Sequence, residues 1–256
     1  MWSSGTGFAG ILGFILEIFI LKNASDWVRL LVGLIIVGIF LGSFFLLLQA
    51  PTNGWPTKET RSTEEIGKMT FIERFRRVLS LWPYIIPLVL VYFAEYAIQA
   101  GAWTAYSFDP SQVDNLESRN DAYLWLNLMY QIGVFISRSS TILFVANRCG
   151  LWIMPFLQIG MLLFFSFNAT EQFWNGLSLL FPALFVGLLG GGVYVNAFTL
   201  ITKEVDDAYE EFSLSAASVA DTFGSLLGDV FALFLQSCLF YSLGLEDDSG
   251  VTCPFE

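Results

Sequence analysis

Long apolar runs separated by short polar stretches dominate the chain. One charge-free run covers residues 30–49 and another covers 172–202. A bilayer core needs roughly 20 consecutive apolar residues in a helix, and both runs meet that length. Strand-like alternation of apolar and polar positions is absent, which argues against an outer-membrane barrel. The pattern predicts an all-α, polytopic transmembrane bundle of about seven transmembrane helices, at 5–21, 27–49, 83–106, 122–145, 151–167, 175–198 and 213–240. The first is the weakest, being short, glycine-rich and interrupted by Glu17.

Charged residues make up 14% of the chain and hydrophobic ones 55%. A soluble domain carries about 25% charged residues, so lipid is the solvent. The net charge of −11 leaves no basic stripe for nucleic acid. There is no histidine, which removes histidine-based triads and His-ligated metal sites. No metal, no cofactor and no enzymatic activity are expected. Cys149, Cys238 and Cys253 lack metal spacing, and Cys149 and Cys238 read as small apolar fillers near helix ends.

Lys58, Arg61, Lys68, Arg74, Arg76 and Arg77 all fall in the 50–82 stretch. The positive-inside rule places that loop in the cytosol. Alternation then puts 106–121, 168–174 and the acidic tail 245–256 on the lumenal or external side. Asn168-Ala169-Thr170 is a glycosylation sequon there, and Asn23-Ala24-Ser25 a second, poorer one. The 51–65 part of the loop reads as disordered. In its second part Phe71, Ile72, Phe75, Val78 and Leu79 recur at helical spacing between Glu73, Arg74, Arg76 and Arg77. Two readings fit: an amphipathic helix on the membrane surface, or a cytosolic start to the next span. Trp103, Trp152 and Trp174 fall near segment ends, where interfacial anchors belong.

Ionisable groups within a bilayer are costly and tend to face a cavity or a partner. Glu17, Glu95, Arg138, Asp221 and Asp229 qualify. Tyr92, Glu95 and Gln99 share one helix face; Asn127, Gln131 and Arg138 share a second; Asp221, Ser225 and Asp229 share a third. The stripes either line a common hydrated cavity or hold helices together. Gly187 and Gly191, and Ala220, Gly224 and Gly228, are spaced by four and let helix backbones approach. Gly190-Gly191-Gly192 would either pack closely or interrupt its helix. Arg138 needs an anion. Counting from the predicted helix ends, Arg138 and Asp221 both lie roughly 10–12 Å inside the cytosolic boundary, so a contact between them is expected, with Glu95 as second choice. An acidic lumen would protonate a buried Glu95 or Asp229 reversibly and so couple protons to transport.

Five strings carry a resemblance: Trp2-Ser3-Ser4-Gly5-Thr6-Gly7; Val91-Tyr92-Phe93-Ala94-Glu95-Tyr96; Tyr130-Gln131-Ile132-Gly133-Val134-Phe135-Ile136-Ser137-Arg138-Ser139-Ser140; Gly187-Leu188-Leu189-Gly190-Gly191-Gly192-Val193-Tyr194-Val195-Asn196; and Ser218-Val219-Ala220-Asp221-Thr222. Together, in this order, they resemble the battenin family of lysosomal or vacuolar membrane proteins. The resemblance implies a partial major-facilitator-like fold. Residues 1–49 would be the last two helices of an incomplete N-terminal bundle, 50–82 the inter-bundle linker, and 83–256 a five-helix C-terminal bundle with a short acidic tail. The family's greater length implies missing N-terminal helices, and on that expectation this chain alone does not transport. The family's acidic dileucine signal is not found in the 50–82 loop, and Cys253-Pro254-Phe255-Glu256 is a poor prenylation sequence.

The resemblance further implies a multi-pass protein of the lysosomal or vacuolar membrane. It would be a secondary transporter tied to organelle pH homeostasis and to export or exchange of small solutes, either a basic amino acid such as arginine or glycerophosphodiesters. Glu95, Gln99, Gln131, Arg138, Asn196, Asp221 and Asp229 are the candidates for the substrate and proton pathway. The partners expected are the lipid bilayer, a small solute and protons. The rival reading is a non-transporting scaffold that acts on organelle pH and trafficking through other proteins.

Overall fold

The computed structural model describes residues 2–47, 66–67, 69–107, 119–140, 145–174, 176–244 and 253; the expectation for 51–65 lies outside them. Eight α-helices form the described chain. Helix α1 (Trp2–Ile15) continues as a π-helical turn, Leu16–Leu21, and α2 (Asp26–Leu47) follows. The short α3 (Phe71–Ser80) leads into α4 (Trp82–Tyr96), which runs on through a π turn (Ala97–Gly101) and a 3₁₀ turn (Ala102–Ala105). Then come α5 (Arg119–Ser139), α6 (Arg148–Glu171), α7 (Leu180–Glu204) and α8 (Glu210–Leu243). No strand occurs among the described residues.

Six helical stretches are long and apolar enough to cross a membrane: Ser4–Leu21, Asp26–Leu46, Trp82–Ala105, Arg148–Glu171, Leu177–Glu204 and Asp207–Leu243. The remaining predicted segment is α5. Its 21 residues have the length to span, but Asn127, Gln131 and Arg138 make it too polar to face lipid all round. It packs between α1 and α7 instead. The chain is therefore an all-α polytopic membrane bundle.

Glycine sets the packing. A Cβ on Gly133 would lie 2.2 Å from the Leu184 carbonyl oxygen, and one on Gly187 2.0 Å from that of Tyr130. These contacts bring the backbones of α5 and α7 together. Gly224 and Gly228 do the same for α8 against α4, at Val89 and Phe93, while Gly7 and Gly10 let α1 approach Phe135 and Gln131 of α5. Without a hydrophobic driving force between helices in lipid, such close backbone contact is a main source of association. Ala220 is buried on the same helix as Gly224 and Gly228. The Gly190-Gly191-Gly192 triplet does not interrupt α7, which is continuous from Leu180 to Glu204.

Apolar side chains fill two clusters. Trp103, Phe165, Leu126 and Val186 belong to one, and Leu88, Val91, Leu151 and Ile201 to the other. Trp103 is thus not an interfacial anchor. It is fully buried against Tyr130 and Phe165, because the π and 3₁₀ turns after Tyr96 rotate the end of α4 into the core. Helix α2 stands apart, with none of the residues in its apolar stretch buried. Arg29 fastens its start to α1 through the Leu21 and Lys22 carbonyls and through Glu17, 3.3 Å away. That ion pair accounts for Glu17.

Two more expectations change. Cys238 is no inert filler: it forms a disulfide with Cys253 beyond the end of α8. Gly244, at φ 65°, turns the chain out of α8 in the left-handed region that glycine tolerates. Asn168 is fully buried, and its amide both donates to the Trp174 carbonyl (2.8 Å) and accepts from the Trp174 N–H (2.9 Å). The nitrogen a glycan would need is occupied in fixing the α6–α7 turn. Asn23, in contrast, is exposed in the α1–α2 turn.

Candidate substrate and proton site

Glu95 lies at the junction of the two apolar clusters, since Val91 and Tyr92 belong to one and Ala94 and Ala97 to the other. It is 2% exposed. The Tyr130 hydroxyl of α5 donates a short hydrogen bond to Oε1. Oε2 is buried and has no hydrogen-bond partner among the described residues. It rests against α7, where a Cβ on Gly190 would be 1.8 Å away. A side chain at 190 would evict the carboxylate, so the glycine is required by the carboxylate as much as by helix packing. The π turn Ala97–Gly101 follows immediately, and such insertions in α-helices cluster at functional sites.

Arg138 occupies the last turn of α5. The helix ends at Ser139 rather than at 145, so the expected depth needs another yardstick. The guanidinium carbon sits 4.5 Å from the centre of the Tyr194 ring. Tyr194 is about ten residues before the end of α7, or roughly 15 Å inside the bundle. Arg138 therefore lies deep, beside Tyr194. One guanidinium nitrogen donates to the Thr6 hydroxyl of α1 at 2.8 Å, another to the Tyr92 hydroxyl at 3.4 Å, and Nε is buried without a partner.

The expected Arg138–Asp221 contact does not form. Helix α8 packs on α4 and α7, and α5 packs on α1 and α7, so the two helices are not close-packed neighbours. Asp221 is half-buried and accepts from the Thr222 hydroxyl at 3.2 Å. It stays within electrostatic reach of Arg138, as does Glu95, without an ion pair to either. Arg138 is thus solvated by hydroxyls and an aromatic face rather than neutralised by a carboxylate.

The other candidates are spread more widely. Gln131 faces Gly10 of α1, one turn from the Thr6–Arg138 bond. Gln99 is half-buried in the π turn of α4. Asn196 is buried, donates to the Gly192 carbonyl and accepts from the Ala146 N–H at 2.6 Å, so it pins the chain entering α6. Asp229 is exposed on α8. Among the described residues no three Cys, Asp or Glu side chains converge as metal ligands would.

One cluster escaped the sequence reading. Arg148 at the start of α6 pairs with Glu204 at the end of α7, and the Tyr84 hydroxyl of α4 donates to the same Glu204 oxygen at 2.5 Å. Arg148 also donates to the Tyr84 hydroxyl at 3.1 Å. The three helix ends are clamped together on the side where α3 lies. Thr6, Tyr130 and Tyr194 were missed as well, although each falls inside a string quoted above.

A family model described as CLN3 protein matches residues 53–241. Battenin of Canis lupus familiaris is 34% identical over 93% of this chain and 57% of its own length. Protein BTN1 of Chaetomium globosum is 31% identical over 92% of the chain and 61% of its own length. Protein BTN1 of Yarrowia lipolytica is 34% identical over 92% and 63% respectively. The chain thus spans about three fifths of the length of these relatives. No solved structure matches it.

Proposed function

The chain belongs to the battenin (CLN3 protein) family, and from that premise we propose that it forms the C-terminal part of a proton-coupled secondary transporter of a lysosomal or vacuolar membrane. One observation carries this reading. A buried carboxylate, Glu95, with an oxygen that nothing among the described residues bonds, lies about one turn from Tyr92, whose hydroxyl accepts from Arg138, a half-buried guanidinium paired with no carboxylate among the described residues. Ionisable groups in such a setting are expensive and usually functional.

The arrangement suggests a coupling scheme. With Glu95 ionised, its charge partly offsets that of Arg138. A proton taken up on the carboxylate removes the offset and leaves Arg138 as an anion site, with Thr6, Tyr92 and Tyr194 around it. Arg138 is half-buried and Glu95 almost fully so. Of these two the more accessible charge is the positive one, and this favours a solute with an anionic phosphodiester or carboxylate group. Glycerophosphodiesters fit that class, and so does the carboxylate end of a basic amino acid. The Thr6–Arg138 bond and the Gly7 and Gly10 contacts join α1 to α5. Parting of these helices would open the site in one transport state.

The test is solute uptake by the whole protein in proteoliposomes. Arg138→Gln should abolish saturable uptake of an anionic solute while Arg148→Gln leaves its KM in place. Equal uptake by the wild type and Arg138→Gln would remove Arg138 from the site. Absence of flux for any solute, with organelle pH still responsive to the protein, would favour the scaffold reading.

A further inference from the structure

Helix α3 is amphipathic, and its apolar side is left exposed. At about 100° per residue, Phe71, Ile72, Phe75, Val78 and Leu79 share an arc of roughly 120°. Phe71 is 82% exposed, Ile72 70%, and Phe75 and Leu79 57% each. On the polar side Arg74 and Arg77 are half-buried, while Glu73, Arg76 and Ser80 are exposed. The Arg77 guanidinium lies 3.7 Å from the centre of the Tyr209 ring, just before α8, and Arg74 donates to the Ile66 carbonyl at 2.9 Å. A Thr70–Glu73 capping box fixes the start of the helix, with both reciprocal bonds formed. A helix tethered through Arg77, with a contiguous apolar arc left outward, is suited to a non-aqueous neighbour.

The chain fixes where that neighbour is. Only Leu81 separates α3 from α4, so α3 cannot leave the surface at which α4 enters the membrane. Trp82 and Trp152, with ring centres 5.8 Å apart, mark that level. Ten residues rise about 15 Å, half a bilayer core, so α3 is too short to cross the membrane. Arg76 is exposed at one edge of the apolar arc, where a long cationic side chain reaches headgroups while its stem stays among chains.

We propose that α3 is an in-plane membrane helix whose partner is anionic lipid of the leaflet at which α4 enters. Phe71, Ile72, Phe75 and Leu79 lie among acyl chains, and Arg76 meets the phosphates. Through Arg77 and Tyr209 the seated helix is coupled to the start of α8, so lipid composition bears on the bundle directly. This surface is separate from the transport site and does not depend on its reading.

The experiment uses the full chain with Cys149→Ser, so that a nitroxide attaches only to an introduced cysteine. Labels at Ile72→Cys and Phe75→Cys report the apolar arc, and Ser80→Cys reports the polar one. The protein is placed in phosphatidylcholine nanodiscs with or without phosphatidylserine. Oxygen should relax the labels at 72 and 75 more than a water-soluble nickel chelate does, with the reverse at 80. Phosphatidylserine should shift the labels at 72 and 75 deeper, and Arg76→Gln should cancel the shift. Nickel access at 72 and 75 overturns the membrane seat. Spin–spin broadening between copies assigns the face to a second chain and overturns the lipid. An unchanged depth with phosphatidylserine overturns the anionic partner.

Discussion

The Glu95 carboxylate of α4 rests on the bare backbone of Gly190 of α7, so closely that a methyl group at 190 would lie 1.8 Å from Oε2. The atom in the way is the end of a side chain, so the bundle can fold by displacing it. Gly190→Ala is therefore expected to retain its assembly while losing the pH dependence of transport. Gly187→Ala meets a backbone oxygen, Tyr130 O, at 2.0 Å. It should cost about 1–3 kcal/mol through overpacking and appear as a lower Tm in a thermal-shift series. The reverse order, with 190 the greater loss of stability, would contradict this division.

Arg138 and Asp221 make no ion pair, and their helices are not close-packed neighbours. Exchange of the two charges, Arg138→Asp with Asp221→Arg, should recover none of the function lost in either single variant. Recovery in the double variant would show that the pair meets in another transport state.

The helices and their order were legible because apolar runs of bilayer length leave no other solution. What failed was local. The apolar run that carries the predicted segment to 145 passes through residues 141–144, which lie outside the described residues, while the described helix ends at Ser139. Counting depth from 145 made Asp221 look level with Arg138. Glu95 was legible as a lone acid in an apolar span. Its Tyr130 partner was not, since tyrosine in a membrane helix reads as apolar. The Cys238–Cys253 bond was invisible because spacing alone does not show a tail turning back on its helix.

Asn168 secures the α6–α7 turn through both faces of its amide. Asn168→Ala strands the N–H and the carbonyl of Trp174 and should cost about 1–3 kcal/mol, read as a lower Tm. Glycosidase treatment should give the same mobility change in wild type and Asn168→Gln. A shift that vanishes with Asn168→Gln but persists with Asn23→Gln would contradict the buried placement.

The Cys238–Cys253 bond belongs on an oxidising side of the membrane. Cys149 is exposed at the opposite end of the bundle, at the start of α6. In sealed organelles a membrane-impermeant polyethylene-glycol maleimide should add one tag, at Cys149, without reductant. Two further tags should require both reduction and permeabilisation. Breaking the loop of about 15 residues that the bond closes should lower stability by about 3 kcal/mol. Three tags in the first step would place the tail in the cytosol.

Solute uptake against an imposed pH gradient tests the central claim most directly, in proteoliposomes of the whole protein and of Glu95→Gln. Glutamine keeps the shape and the hydrogen bond to Tyr130 but cannot exchange a proton. The account predicts that acidifying the side from which solute enters accelerates uptake by the wild type at least several-fold. In Glu95→Gln uptake should persist at a rate that no longer follows the gradient. A Glu95→Gln variant that responds to the gradient as the wild type does would contradict it.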